Sequence, residues 1–211
     1  MRVLRVDGEF PDPEAVTEAA QVLLDGGLVV YPTDTLYALG AVALREAAVS
    51  RLREAKGREA GKPLPLVAAD TAQARALWAS FPHAAEALTH RFWPGPLTLI
   101  LPAASVVPLE VTAGQGTLAI RVPAREVTRR LARAAGALVA TSANLAGDRP
   151  PSTCSEAVAA VGEAAALALD AGPGGLLPST LVDLTAEPAR LLREGAVPWA
   201  DVVAVLRRVT S

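Results

Sequence analysis

Four apolar or aromatic residues in a row, Leu28-Val29-Val30-Tyr31, run directly into Pro32, and this constrains the 211-residue chain more than any other feature. Two of the four are β-branched, so the run reads as a buried strand. Pro32 has no N–H to give to a ladder, so the strand stops there. Thr33, Asp34 and Thr35 then place two hydroxyls and a carboxylate just past its carboxyl end, where open α/β sheets usually bind ligands. Taken alone, these residues are better explained by capping of the next turn. Later segments tip the balance toward a site.

The chain alternates. Asp12-Pro13 opens a helix that carries Ala15, Val16, Ala19, Ala20, Leu23 and Leu24 and ends at Gly26-Gly27. A helix over about 45–56 ends in Lys56-Gly57-Arg58. A short strand over Leu64–Ala69 follows, then helices from Thr71 and over roughly His83–Phe92. Strands are expected at Leu97–Leu101 and Thr117–Val122, a helix at Arg125–Ala135 closed by Gly136, and a strand at Leu138–Ala140 that leads into Thr141-Ser142-Ala143-Asn144. A helix over Ser155–Val161, strands near 167–170, 180–184 and 189–193, and a helix over Trp199–Val209 complete the chain. No repeat or shift in composition marks a linker, so residues 1–211 are expected to form one α/β domain on a twisted mixed β-sheet flanked by helices.

Composition excludes several classes. With 51% apolar and 20% charged residues the chain has ample core and no disordered signature. The net charge of −2 and a pI near 5.8 do not suit a protein that grips nucleic acid through its phosphates. The densest basic run, Arg125, Arg129, Arg130 and Arg133, has the spacing of a solvated helix face. The lone Cys154 cannot form an internal disulfide, and His83 and His90 are too far apart for an i, i+4 ligand pair. Phe92–Leu109 is eighteen residues without a charge, near the length of a membrane span, but it holds Pro94, Pro96, Pro102 and Pro108. It reads as loop, buried strand and loop. The opening MRVLRVDGEFPD lacks the apolar core of a signal peptide, so a soluble cytoplasmic protein is expected.

Strand exits carry the chemistry. Thr33–Thr35, Thr141–Asn144 and Arg121 can converge on one crevice. Lys56, Arg58 and Lys62 form a basic loop suited to a polyphosphate, although in isolation a solvated, flexible loop explains it better. The chain has no GxxxxGK[ST], GxGxxG, GxSxG or HExxH. No acidic cluster announces a metal cage, so a Mg²⁺ is expected only on substrate phosphates.

In order along the chain, YPTDTLYALG, AKGREAGKPLPLV, FWPGPLTLIL, LAIRVP, TSANLAG and STLVDL with LLREG resemble the YrdC/Sua5 family of threonylcarbamoyl-AMP synthases, from about Asp12 to Val197. The resemblance implies the short form, a single YrdC-like domain with a concave basic cleft. It also implies a reaction: L-threonine, bicarbonate or CO₂, and ATP give L-threonylcarbamoyladenylate and pyrophosphate. A partner threonylcarbamoyl transferase complex then modifies adenosine 37 of tRNAs reading ANN codons, so tRNA is met only indirectly.

The same resemblance assigns roles. Thr35, Arg121 (to the carboxylate), Thr141 and Ser179 would hold threonine. Arg58, Lys62, Thr117, Ser142, Ala143, Asn144, Ser152 and Arg193 would hold ATP. Lys56 and Arg58, the family's basic pair, would act as the catalytic cations with Mg²⁺. Two departures from the family pattern stand out: Val67 where a His is usual, bearing on amino-acid selectivity, and Ala38 where a Gly is usual. Other readings are an RNA-binding or ribosome-maturation module of this fold, and a related carbamoyl-adenylate-forming enzyme.

Overall fold

The computed structural model describes residues 1–57, 61–144, 148–175 and 177–209. Its strands are β1 (Arg2–Arg5), β2 (Val29–Tyr31), β3 (Ala38–Gly40), β4 (Leu66–Val67), β5 (Leu97–Pro102), β6 (Thr117–Arg121), β7 (Leu138–Val139), β8 (Thr141–Ser142), β9 (Leu167–Asp170), β10 (Thr180–Asp183) and β11 (Arg190–Arg193). The helices are α1 (Pro13–Leu24), α2 (Glu46–Ala55), α3 (Thr71–Arg75), α4 (His83–Phe92), α5 (Leu109–Thr112), α6 (Glu126–Ala135), α7 (Cys154–Val161) and α8 (Trp199–Val209).

The expected single sheet is divided in two. One sheet has the order β1-β9-β2-β3-β8, the other β11-β10-β5-β6-β4-β7, and each mixes parallel and antiparallel pairs. Only Ala140 separates β7 from β8, so one short extended segment pairs with β4 in the second sheet and then with β3 in the first. Its backbone is also held from both sides, by Val139 N–H to the Ala41 carbonyl and Ala140 N–H to the Pro65 carbonyl. Sequence reading placed a strand here but had no means of seeing it change partners.

Strand β2 explains its own unbroken apolar run. Side chains alternate across a strand. Leu28 and Val30 enter the core shared by the sheets and α2, α4 and α7, while Val29 and Tyr31 enter a second core beneath α1 and α6. Both faces are covered, so no polar position is left to alternate. The α1 cap is as the sequence foretells: Asp12 accepts from Glu14 N–H at 2.9 Å, with Pro13 in the first turn. Helix α7 starts one residue earlier than expected because Thr153 and Glu156 close a capping box.

Three elements were invisible in the pattern. β1 is an exposed edge strand, RVLR, with no apolar alternation, and α5 is a single turn. β3 forms because the chain reverses at Pro32–Leu36 and returns antiparallel to β2. The charge-free stretch becomes the end of α4, a loop, β5, a second loop and the start of α5. Among the described residues no helix is long and apolar enough to cross a membrane.

Candidate functional site

A cleft of about 820 Å³ opens where the sheets meet. Register explains why groups distant in sequence reach it. Val67 pairs with Arg121 across parallel β4 and β6, and Leu181 pairs with Thr98 across parallel β10 and β5. Because β5 runs antiparallel to β6, the beginning of β5 lies level with the end of β6. The site is therefore built from carboxyl ends of β2, β4 and β6 together with amino ends of β5 and β10. The strand-exit argument identifies only the first group.

Asp34 does not face the cleft as an isolated carboxylate. It forms an ion pair with Arg121 Nη1, the two side chains being 14% and 7% exposed. Arg121 Nη2 donates to Thr35 Oγ1 at 3.0 Å. A guanidinium has five N–H groups. Among the described residues Arg121 gives two of them to the PTDT turn, and the residue lines the cleft. Such a fork suits a carboxylate or phosphate.

The opposite wall centres on Ser179. Its hydroxyl lies 2.8 Å from Thr98 Oγ1, and its carbonyl accepts from Arg193 Nε at 3.1 Å and Nη2 at 2.9 Å. Although Arg193 is exposed as a residue, this seat partly buries its guanidinium. That burial and the charge of Arg121 lower its pKa from the ordinary arginine value. Two cations that feel one another across a cleft favour an anion between them.

Close backbone approach holds both walls. At Gly175 a Cβ would press on the Asp34 carbonyl oxygen and lie 3.0 Å from Thr35 Cα, so the loop after β9 lies flat on the PTDT turn. Tyr37 hydroxyl anchors that loop by donating to the Gly172 carbonyl at 2.6 Å, and its burial raises its pKa. At Gly195 a Cβ would clash with the Pro178 carbonyl and lie 2.6 Å from the Ser179 carbonyl carbon. Gly195→Ala is therefore expected to push Ser179 and Arg193 out of position. Overpacking of this kind costs about 1–3 kcal/mol. Affinity for the cleft's ligands should fall about tenfold or more, as read by calorimetry beside a thermal melt. Wild-type affinity would show that the strand β10 wall does not depend on this contact.

The expected site residues divide into those on the wall and those beside it. Thr35, Arg121, Thr141, Ser142, Ser152, Ser179 and Arg193 all line the cleft. Ser152 donates its proton to Glu156 at 3.1 Å, which leaves its hydroxyl oxygen able to act only as an acceptor. Thr117 shares a β6 face with Arg121 but lies four residues, roughly 13 Å, away. Its neighbour Gln115 reaches the wall instead. Ala143 is in the apolar core and Asn144 is buried, its side-chain amide donating to the Asp148 carbonyl at 2.8 Å.

Lys56 is 5% exposed, and its ammonium donates to the Ser142 carbonyl at 2.5 Å and to the Asn144 carbonyl. It braces the Thr141–Asn144 turn from behind. Lys62 is exposed, its carbonyl accepting from Arg53. Arg58 lies outside the described residues. Sequence reasoning named Thr33 and Asp34 only as part of the polar strand exit and missed Thr98, Gln115 and Arg149, all of which line the cleft or its turn. Asp34 and Thr33 were visible as part of the turn; Arg149 and Gln115 carried no signal.

Comparison with known proteins follows the same cleft-bearing region. The family model described as Sua5/YciO/YrdC, telomere recombination, matches residues 21–195. The chain belongs to this family. It is 39% identical over 193 residues to the threonylcarbamoyl-AMP synthase of Pyrococcus abyssi, an alignment covering 90% of this chain and 57% of that protein. The chain thus spans under three-fifths of that relative's length. The crystal structure of P. abyssi Sua5 complexed with L-threonine superposes with a TM-score of 0.93 at 38% identity, covering 98% of this chain and 61% of the other. Escherichia coli YciO superposes with a TM-score of 0.85 at 25% identity, covering 94% and 98%. The Sua5/YciO/YrdC assignment and the mixed α/β architecture agree with the sequence reading.

Proposed function

We propose that the chain is a threonylcarbamoyl-AMP synthase. The amine of L-threonine adds to CO₂ to give a carbamate, a carbamate oxygen attacks the α-phosphorus of ATP, and pyrophosphate leaves. The observation that carries this is the cleft itself. One wall carries a buried arginine beside hydroxyls, the other a second arginine on Ser179, so two anions can be held together. Support comes from the P. abyssi relative bearing that activity in its name and from its structure with L-threonine.

No covalent nucleophile is required. Catalysis is positioning of carbamate against phosphate and cationic stabilisation of the charge that develops on the phosphoryl oxygens. Arg121 takes the amino-acid carboxylate, with Thr35, Thr141 and Ser179 around it. Arg193, Ser142, Ser152, Lys62, Thr117, Ala143, Asn144 and Arg58 form or support the nucleotide side. Mg²⁺ would enter with ATP, carried on the substrate's phosphate oxygens, and would help neutralise the charge on the phosphates. A single domain working in the cytoplasm, a downstream threonylcarbamoyl transferase as consumer of the adenylate, and indirect contact with tRNA complete the proposal.

An omission experiment tests it. Purified protein with ATP, Mg²⁺, L-threonine and bicarbonate should release pyrophosphate and form the adenylate, both followed by mass spectrometry. Leaving out any one component should abolish the adenylate. Pyrophosphate release that ignores the amino acid would overturn the proposal, and a panel of amino acids would show what Val67, beside Arg121, permits in the pocket.

A further inference from the structure

Arg149 is a third arginine on the cleft wall, and the roles given to Arg121 and Arg193 leave it unused. It is exposed, and among the described residues its guanidinium has no hydrogen-bond or ion-pair partner. Its backbone is nevertheless held on both sides. The Asp148 carbonyl accepts from the Asn144 side-chain amide at 2.8 Å. Pro150 and Pro151 fix two φ angles and keep the residue before each of them extended. Beyond them the Pro151 carbonyl accepts from Tyr37 N–H at 3.3 Å, and the Ser152 carbonyl from Gly174 N–H at 2.7 Å. Asn144 is fixed in turn, because the buried Lys56 ammonium donates to its carbonyl and lies 3.5 Å from its Oδ1. A cation carried on a clamped segment loses less freedom on binding than one on a loose loop.

We infer that Arg149 binds the β- and γ-phosphates of ATP and stabilises pyrophosphate as it leaves. The inference rests on the proposed function. A carbamate formed beside Arg121, Thr35 and Ser179 can reach the α-phosphorus only if that atom lies next to the same groups. The amino-acid carboxylate is taken by Arg121, and the base and ribose are neutral. The anion left for a cation elsewhere on the wall, between Ser142 and Ser152 in the chain, is the terminal diphosphate. A guanidinium fork matches its oxygens. As the carbamate oxygen bonds to the α-phosphorus, the bond to the bridging oxygen breaks and its electron pair stays on pyrophosphate. Arg149 therefore meets charge that grows along the reaction, so it acts on kcat as well as on ATP affinity.

The test is Arg149→Gln, with Arg149→Lys beside it, in calorimetric binding of ATP with Mg²⁺, of AMP and of inorganic pyrophosphate, together with steady-state kinetics and thermal melts. Arg149→Gln should bind ATP and pyrophosphate about tenfold or more weakly, the scale of a hydrogen bond to a charged group, with AMP within about twofold. Its kcat should fall too, while the KM for L-threonine and the Tm stay at wild-type values. Arg149→Lys should regain part of each loss, since it keeps the charge without the fork. Unchanged ATP affinity and kcat, equal losses for ATP and AMP, a raised KM for threonine, or losses that only accompany a lowered Tm would each overturn the inference. Wild-type protein that forms no adenylate would instead remove the proposed function on which it rests.

Discussion

Arg121→Ala is expected to raise the KM for L-threonine by roughly 100-fold or more while leaving that for ATP within about threefold, since two or more charged hydrogen bonds are lost on one ligand only. Stability should fall as well. The substitution leaves the Asp34 carboxylate largely buried opposite nothing, and removing one partner of a buried pair costs about 3–5 kcal/mol. For a chain of this length that is a fall in Tm of roughly 6–20 °C. The companion Asp34→Asn/Arg121→Ala should regain most of the Tm and none of the threonine use. Kinetics of pyrophosphate release with either substrate varied, beside thermal melts of the three proteins, make the measurement. Equal losses for ATP and threonine would remove Arg121 from the carboxylate; a double variant melting no higher than Arg121→Ala would mean the pair does not carry the stability.

Lys56→Met is the second large effect, and its cause is different. The ammonium faces carbonyl oxygens of Ser142 and Asn144, with Asn144 Oδ1 at 3.5 Å, so it acts on the cleft through the turn that lines it. Methionine keeps most of the volume but leaves buried carbonyls without their donor, at a cost of about 1–3 kcal/mol each. Adenylate formation should drop by about 100-fold or more through kcat, with a lower Tm, because Ser142 is no longer held in the cleft wall. A variant of normal Tm whose only defect is a raised ATP KM would show instead that the ammonium contacts phosphate directly. Full turnover at normal Tm would remove it from the site altogether.

Local order in the chain is strong where composition is unambiguous. The strand ending at Pro32, the Asp12-Pro13 helix start and the helix closed by Gly136 all depend on neighbours within a few residues, and all stand where the sequence puts them. The resemblance carried by the six segments also gathers Thr35, Arg121, Thr141 and Ser179 into one amino-acid set, and the fold brings all four onto a single cleft. Edge strand β1 and the two-residue strand β8 are less legible, because each owes its state to its partner and not to its own pattern.

What the sequence by itself determined is most of the run of elements, without β1, β3 and α5, the α/β class and the list of polar groups at the strand exits, since hydrophobic period, proline and glycine act over one or two turns of chain. Tertiary structure alone decided three things. It decided that the sheet divides at Ala140, because pairing is chosen between strands far apart in sequence. It decided that Asp34 belongs to Arg121, 87 residues away, rather than to a ligand. And it decided that Lys56, which reads as one more cation of a basic loop, is buried against the Ser142 and Asn144 carbonyls. A charge is visible in a sequence; the group that neutralises it is fixed only when the chain has folded and the cost of leaving it bare has to be met.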